Sequence, residues 1–544
     1  MEVQGRQITR SEWLAVWVGC AAASLAALWW SWQNNALLNY GDALAHLHIA
    51  RRIFDSHQPR LSQLGSVWLP LPHLLMLPFV QVYAWWANGT AALPASMLAY
   101  FASCVGMYRL TRKWLSPAPA ALALAFFALN PNLLYLQTTA MTEPLFVCEM
   151  VWVALWMVEW RQSLDDEPWR AARLQTYIAA MLVAAVFTRY DGWIMALLAW
   201  TGIGLALLRR GRLKSAGFWV ASAFVVAAPI AWFVYNSVCF GDWLEFARGQ
   251  YSARAIEIRT ATPGSGPPHP GWHNMWVSLL FFVKAAEMDA AAAAWGNRLL
   301  VVSALGTAWA WLTARRRGFL WALLLWLPLP FYAYSIAYSS VPIFLPPWWP
   351  HSWYNTRYGM ELLPALALGA AFTAHCLIAL VRDFKPQWGK YAAAALLAVV
   401  AWNAVRMVRE HPLTYMEGVK NLQSRRRLEE RIPPLLRAEL AKRPGAEVLM
   451  ETSVFPSLVA KTGIPFRQTI NEADLDVFEQ ALEAPAKHAA LVLAFDGDSI
   501  DRAVKAHPEG LRAIERFEWR EQPAATLYCS EDTGSSVSID SARR

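Results

Sequence analysis

Charge is scarce in this chain: only 16% of its 544 residues are charged while 56% are hydrophobic, and the mean hydropathy is +0.25. Soluble domains carry roughly a quarter charged residues, so a soluble class is excluded and a membrane class follows. Cysteine is also sparse. The chain has six, at positions 20, 104, 148, 239, 376 and 529, and no CxxC pair, which excludes a zinc ribbon or a dithiol redox centre. Most lie in apolar runs, where a thiol behaves as a small buried hydrophobe; only Cys239 and Cys529 fall where an oxidising compartment is within reach. There is no Gly-rich phosphate loop and no internal repeat. The first apolar run lacks a small-residue cleavage site, so it reads as a retained signal anchor. The formal charge of +8 sits in short clusters between apolar runs, not on one continuous face, and nucleic acid is excluded as a partner.

Apolar runs of membrane-spanning length are what the chain has in abundance. Its 31 tryptophans suit spans that end in aromatic belts at the headgroups. Basic clusters recur at Arg109, Arg112 and Lys113; at Arg161, Arg170 and Arg173; at Arg209, Arg210, Arg212 and Lys214; at Arg315, Arg316 and Arg317; and at Arg382, Lys385 and Lys390. The positive-inside rule places them in the cytoplasm with Arg6 and Arg10. The spans are then Leu14–Trp32, Thr90–Tyr108, Pro117–Leu136, Pro144–Val158, Leu174–Thr188, Gly192–Leu208, Ser215–Tyr235, Leu299–Thr313, Phe319–Tyr338, Leu362–Val381 and Tyr391–Val405. That is a polytopic α-helical protein of about eleven transmembrane helices, with its N-terminus inside and its C-terminus outside. Trp68–Ala87, interrupted by Pro70, Pro72 and Pro78, is expected to be interfacial or re-entrant, as is Trp272–Met288.

From His411 the chain turns polar. Glu447–Glu451, Ala490–Phe495 and Ala524–Cys529 have strand character, and Leu475–Leu482 and Ser499–Ala506 have helical spacing, which together imply a small α/β domain outside the membrane. The expected organisation is a membrane domain at 1–410, an extracytoplasmic α/β domain at 411–534 and a disordered tail at 535–544.

The polar residues of interest fall in the outer loops of this topology. Asp42 and His46 stand one helical turn apart, with Leu44, Leu47 and Ile53 placed to lie on the membrane; Asp42 is either a functional acid or a residue that opens a helix. Glu143 lies in the short turn before Pro144, as a functional acid or a cap. Arg189, Tyr190 and Asp191 form another turn, read either as site residues or as an internal ion pair. Asn355, Thr356, Arg357 and Tyr358 close a loop rich in Pro and Trp. An arginine there suits a phosphate at headgroup depth, since its planar fork offers bidentate donors; snorkelling to ordinary lipid is the alternative. Glu149 and His375 fall within spans, where an ionisable group needs an interior partner.

The order Gly41-Asp42-Ala43-Leu44, Trp68-Leu69-Pro70-Leu71-Pro72-His73, Thr142-Glu143-Pro144-Leu145, Thr188-Arg189-Tyr190-Asp191-Gly192-Trp193 and Asn355-Thr356-Arg357-Tyr358-Gly359 resembles the GT-C superfamily of polyprenyl-phosphate-sugar glycosyltransferases. It is most similar to the bacterial branch related to protein O-mannosyltransferases and the lipid A aminoarabinose transferase. The resemblance implies catalytic acids at Asp42 and Glu143 and a donor-phosphate site at Arg357 and Tyr358, with Arg189, Asp191, His46 and His73 as further substrate-binding positions. It implies an inverting transfer from a polyprenyl-phosphate-linked sugar to an acceptor protein, glycolipid or polysaccharide on the outer face of a bacterial inner membrane. Many members have paired acids where this chain has Asp42-Ala43, so no cofactor is required by the sequence. A divalent metal on Asp42, His46 and Glu143 is the possible exception. A polytopic transporter or lipid flippase is the alternative; against it, no inverted repeat or matched broken spans are visible.

Overall fold

A computed structural model describes residues 7–260, 267–292, 295–314, 318–519 and 522–531. Arg6, the Arg315–Arg317 cluster and the tail 535–544 lie outside the described residues. The protein is a polytopic helical membrane protein with a small β-sheet near its C-terminus. Among the described residues, eight helices are long and apolar enough to cross a bilayer: Arg10–Gln33, Thr90–Thr111, Pro168–Thr188, Asp191–Leu208, Ala216–Phe240, Phe319–Tyr338, Thr356–Phe384 and the first part of Pro386–Ala441. Each coincides with an expected span.

The three remaining expected spans are helical but of other character. Pro117–Leu136 divides into Pro117–Ala128 and Pro131–Leu136, each too short to cross. The break is chemical: Pro131 has no N–H to continue the first helix, and the Asn130 side chain caps the second by accepting from the N–H groups of Asn132 (2.9 Å) and Leu133 (3.2 Å). Glu143–Ser163 is long enough but carries Glu149 and Glu159 into the interior. Thr188 donates to Glu149 at 2.7 Å, and Arg109 and Lys113 meet Glu159 at 2.7 and 2.5 Å. Leu299–Thr313 lies in the 19-residue helix Gly296–Ala314. Trp68–Ala87 forms two short helices, Leu71–Val80 and Tyr83–Asn88, neither of spanning length.

Packing divides the chain into two compact units. One comprises Met1–Leu37, Ser66–Leu75 and Ala92–Gly418; the other comprises Leu38–Gly65, Met76–Ala91 and Val419–Arg544. This differs from a linear boundary at 410, because the segments Leu38–Gly65 and Met76–Ala91 belong to the same unit as the C-terminal α/β body. In that second unit His48 packs edge-on to Phe466 at 5.1 Å, and Trp86 meets the same ring at 5.6 Å. Leu44 and Leu47, expected on the membrane, are buried instead, since the apolar face of their helix is consumed inside the protein.

The sheet of the second unit has five strands: β1 (Val448–Met450), β2 (Thr469–Ile470), β3 (Leu491–Phe495), β4 (Leu511–Phe517) and β5 (Ala525–Ser530). Their order is β2-β1-β3-β5-β4, with β1 parallel to β2 and β3, and β5 antiparallel to β3 and β4. Leu449, Ile470, Val492 and Ala494 of the sheet pack against Phe478, Ala481, Ile500 and Val504 of its helices.

Candidate active site

In the first unit, three sequence-separated turns converge on a buried set of charges. Glu143 opens the helix Glu143–Ser163 and is 1% exposed. Its Oε1 accepts from Arg357 Nε at 3.1 Å and from Arg189 Nη1 at 3.4 Å, so one carboxylate bridges two guanidinium groups. Arg189 ends the helix Pro168–Thr188 with extended backbone, and the next helix begins at Asp191. The turn is tight enough to demand glycine: a Cβ on Gly192 would stand 2.2 Å from the Ala185 carbonyl oxygen. Arg189 also donates to Thr142 Oγ1 at 3.0 Å and to the Tyr332 hydroxyl at 2.7 Å, and pairs with Asp191 at 3.3 Å and Glu361 at 3.0 Å. The Tyr332 hydroxyl in turn donates a hydrogen bond to Glu361 Oε1 at 2.7 Å.

Arg357 is gripped from its other side by Glu417. That carboxylate accepts from Arg357 Nη1 at 2.5 Å, the Thr356 hydroxyl at 2.6 Å, and the backbone N–H groups of Asn355 and Arg357 at 2.9 and 3.3 Å. It thereby satisfies donors at a helix start whose preceding residue, Asn355, is left-handed at φ +54°. The Tyr358 ring lies under both guanidinium groups, 5.0 Å from Arg189 and 5.1 Å from Arg357, and stacks on Tyr332 at 5.1 Å.

Glu143, Arg189, Asp191, Arg357 and Tyr358 are therefore brought together, and Tyr332, Glu361, Glu417 and Asp289 join them without having been singled out in the sequence. Asp289 is 1% exposed, faces Glu143 and Glu417, and neither of its side-chain oxygens has a hydrogen-bond partner. Glu143 Oε2 and Glu361 Oε2 are likewise bare. Acidic side chains outnumber guanidinium groups, so the set keeps hydrogen-bonding capacity beyond its ion pairs and suits a hydroxyl-rich group; an incoming phosphate must exchange with a carboxylate on arginine. His73 is fully buried in the helix Leu71–Val80.

Asp42 and His46 belong to the second unit. Asp42 sits in the first turn of the helix Gly41–Arg52, whose N-cap is Tyr40, so Asp42 is inside the helix rather than at its cap. His46 and His48 are each 4% exposed on the same helix. Burial and the nearby Arg52 pull the His48 imidazole down to about 3, which keeps it uncharged. Arg51 is fixed by Asp55 at 2.7 Å and by the carbonyl oxygens of Val80 and Gln81. Among the described residues no group of three or more His, Cys, Asp or Glu side chains is arranged to hold a metal ion. Cys20, Cys104, Cys148 and Cys529 are buried, and Cys239 and Cys376, which lie in the helices Ala216–Phe240 and Leu363–Phe384, are half-buried.

No protein-family model matches the sequence, and comparison with the curated proteins returned no match. The crystal structure of ArnT from Cupriavidus metallidurans bound to undecaprenyl phosphate matches with a TM-score of 0.57 at 14% identity, covering 95% of this chain and 98% of that one. This chain is similar in fold to ArnT. The apo state of that protein gives the same figures. The apo oligosaccharyltransferase of Archaeoglobus fulgidus matches with a TM-score of 0.45 at 11% identity, covering 96% of this chain and 75% of that one. The likeness to ArnT extends over nearly the whole of both chains and is a likeness of fold.

Proposed function

We propose that this protein is a membrane-embedded glycosyltransferase of the GT-C kind, which moves a sugar from a polyprenyl-phosphate donor to a hydroxyl acceptor on the outer face of a bacterial inner membrane. The observation that carries this reading is the buried Glu143–Arg189–Arg357 network, in which turns named by the motif resemblance meet although 46 to 214 residues apart in sequence. The fold likeness to ArnT, whose crystal structure holds undecaprenyl phosphate, supports the same reading.

The chemistry is a single displacement. Asp42 takes the proton of the acceptor hydroxyl as its oxygen attacks the anomeric carbon; the carbon–oxygen bond to phosphate breaks, and polyprenyl phosphate leaves with inversion at the sugar. The leaving group is an anion already and needs no acid. A phosphate oxygen takes the place of Glu143 on the Nε edge of Arg357 while Glu417 keeps hold of Nη1, which presents a fixed cation where negative charge develops. Glu143 remains with Arg189. The acids not paired with arginine hydrogen-bond the sugar hydroxyls.

Purified protein incubated with radiolabelled polyprenyl-phosphate sugars and membrane extract tests the assignment. Asp42→Asn is expected to insert normally and to lose transfer by about 10² or more, the scale of a general base. Transfer surviving within a few-fold of wild type would move the base elsewhere.

A further inference from the structure

The turn that delivers Asp42 is held by side chains of the helix that leads into the C-terminal body. In the second unit the helix Leu413–Ala441 carries Asn421, Arg425 and Glu429 at four-residue spacing, which places them on one stripe. Asn421 Oδ1 accepts from the backbone N–H of Gly41 at 2.8 Å. Arg425 Nη1 donates to the Asn39 carbonyl at 2.9 Å and to Asn421 Oδ1 at 3.2 Å, and Nη2 donates to the Leu38 carbonyl at 2.5 Å. With two donors aimed at it, the oxygen of the Asn421 amide is fixed as the acceptor.

Behind this contact the charge is anchored in the α/β body. Arg425 Nε donates to Glu429 at 2.6 Å, and Glu429 pairs with Lys461 of the helix Ser457–Thr462 at 2.8 Å. The side chains of Arg425 and Glu429 are 8% and 2% exposed. Tyr40, the N-cap of the Asp42 helix, makes no capping bond with its side chain. The orphan N–H of Gly41 is satisfied from the neighbouring helix instead. Glycine fits this approach: a Cβ on residue 41 would already stand 3.0 Å from Asn421 Oδ1.

We infer that the C-terminal body is the positioning frame of Asp42, with Asn421 and Arg425 as its positioning residues. The inference rests on Asp42 being the base of the proposed transfer. A planar guanidinium spans the Leu38 and Asn39 carbonyls and the Asn421 oxygen together; a lysine ammonium on a flexible stem does not reproduce that fork. The frame fixes where the Asp42 helix begins, and so where the carboxylate stands.

Two measurements on the full-length protein test this. In hydrogen exchange, Asn421→Ala and Arg425→Lys are expected to accelerate exchange across 38–44, while Asn421→Asp, which keeps the acceptor, stays close to wild type. In the transfer assay the first two are expected to lower kcat by about tenfold or more with donor KM unmoved, as a misplaced catalytic group does, and Asn421→Asp to recover most of it. Unchanged exchange at 38–44 in both disruptive variants overturns the frame, as does a kcat within twofold of wild type. Where Asp42→Asn itself retains full transfer, the functional reading fails, and the frame is then judged by the exchange result alone.

Discussion

Arg357 sits between two acids, its side chain 6% exposed and those of Glu143 and Glu417 1% and 2%. Truncation to alanine leaves Glu417 without its guanidinium partner and leaves Glu143 with Arg189 alone. Breaking a buried pair by deleting one partner costs about 3–5 kcal/mol, chiefly because the survivor is left charged and dry. Arg357→Ala is therefore expected to lower the thermal midpoint of the detergent-solubilised protein markedly, and Arg357→Ala combined with Glu417→Gln to recover part of the loss. Additive losses in the double variant would show that Glu417 does not rely on Arg357. The residue scale also shows what was legible. Glu143, Arg189, Asp191, Arg357 and Tyr358 stood out because they interrupt apolar sequence at span ends, where charge needs a reason. Tyr332 did not, because it lies inside the expected span Phe319–Tyr338, and Glu361 did not, because it falls between the motif ending at Gly359 and the span expected from Leu362. Glu417 did not because it falls in polar sequence, where one acid among many carries no signal.

At the scale of elements, helix contact is set by small residues. A Cβ on Gly369 would stand 2.2 Å from the Ser303 carbonyl oxygen, and one on Gly306 would stand 1.9 Å from that of Gly369. The helices Gly296–Ala314 and Leu363–Phe384 thus meet backbone to backbone, as membrane helices do where small residues allow it. Gly369→Val should lower stability by about 1–3 kcal/mol through overpacking, read as faster thermal inactivation. A second element contact responds to pH. His57 Nε2 lies 3.1 Å from Glu447 Oε1 in the second unit. The contact with Glu447, with Asp474 as a more distant acid, holds the imidazole above its usual range against the opposing effect of burial. A raised histidine stabilises the fold fully below its unfolded value of about 6.5, and that contribution is lost as pH climbs through the folded value. After correction for intrinsic rates, amides of 55–65 should open more readily at pH 8 than at pH 6, and His57→Gln should flatten the difference. Helix positions were legible where apolar length was uninterrupted, as in Ala216–Phe240. They were not where proline and an asparagine cap cut a run in two, as at Asn130. Strands β2 and β4 escaped notice because one is two residues long and the other, an edge strand, carries Arg512, Glu515 and Arg516 on exposed or half-exposed positions.

For the molecule as a whole, sidedness is the quantity on which the outer-face reading depends, and the parity of the spans determines it. Between Asn35, exposed just beyond the first helix, and Lys214, exposed in a basic loop, three helices are long and apolar enough to cross: Thr90–Thr111, Pro168–Thr188 and Asp191–Leu208. An odd number puts the two residues on opposite sides. The segments Pro117–Leu136 and Glu143–Ser163 leave that parity intact when both cross or neither does; a single crossing reverses it. Broken at Asn130, the first pairs naturally with a second that begins at the same turn of chain, Thr138–Thr142, and both then cross together. The expectation is that, in a variant lacking the native cysteines, Asn35→Cys reacts with an impermeant maleimide on intact cells. Lys214→Cys should react only after the membrane is opened. The positive-inside rule gives the same answer independently, since Arg209, Arg210, Arg212 and Lys214 belong in the cytoplasm. Labelling of both cysteines from outside would mean that one of the pair crosses alone, and labelling of Lys214→Cys only would invert the chain and move the Glu143–Arg189–Arg357 turns away from an outer acceptor.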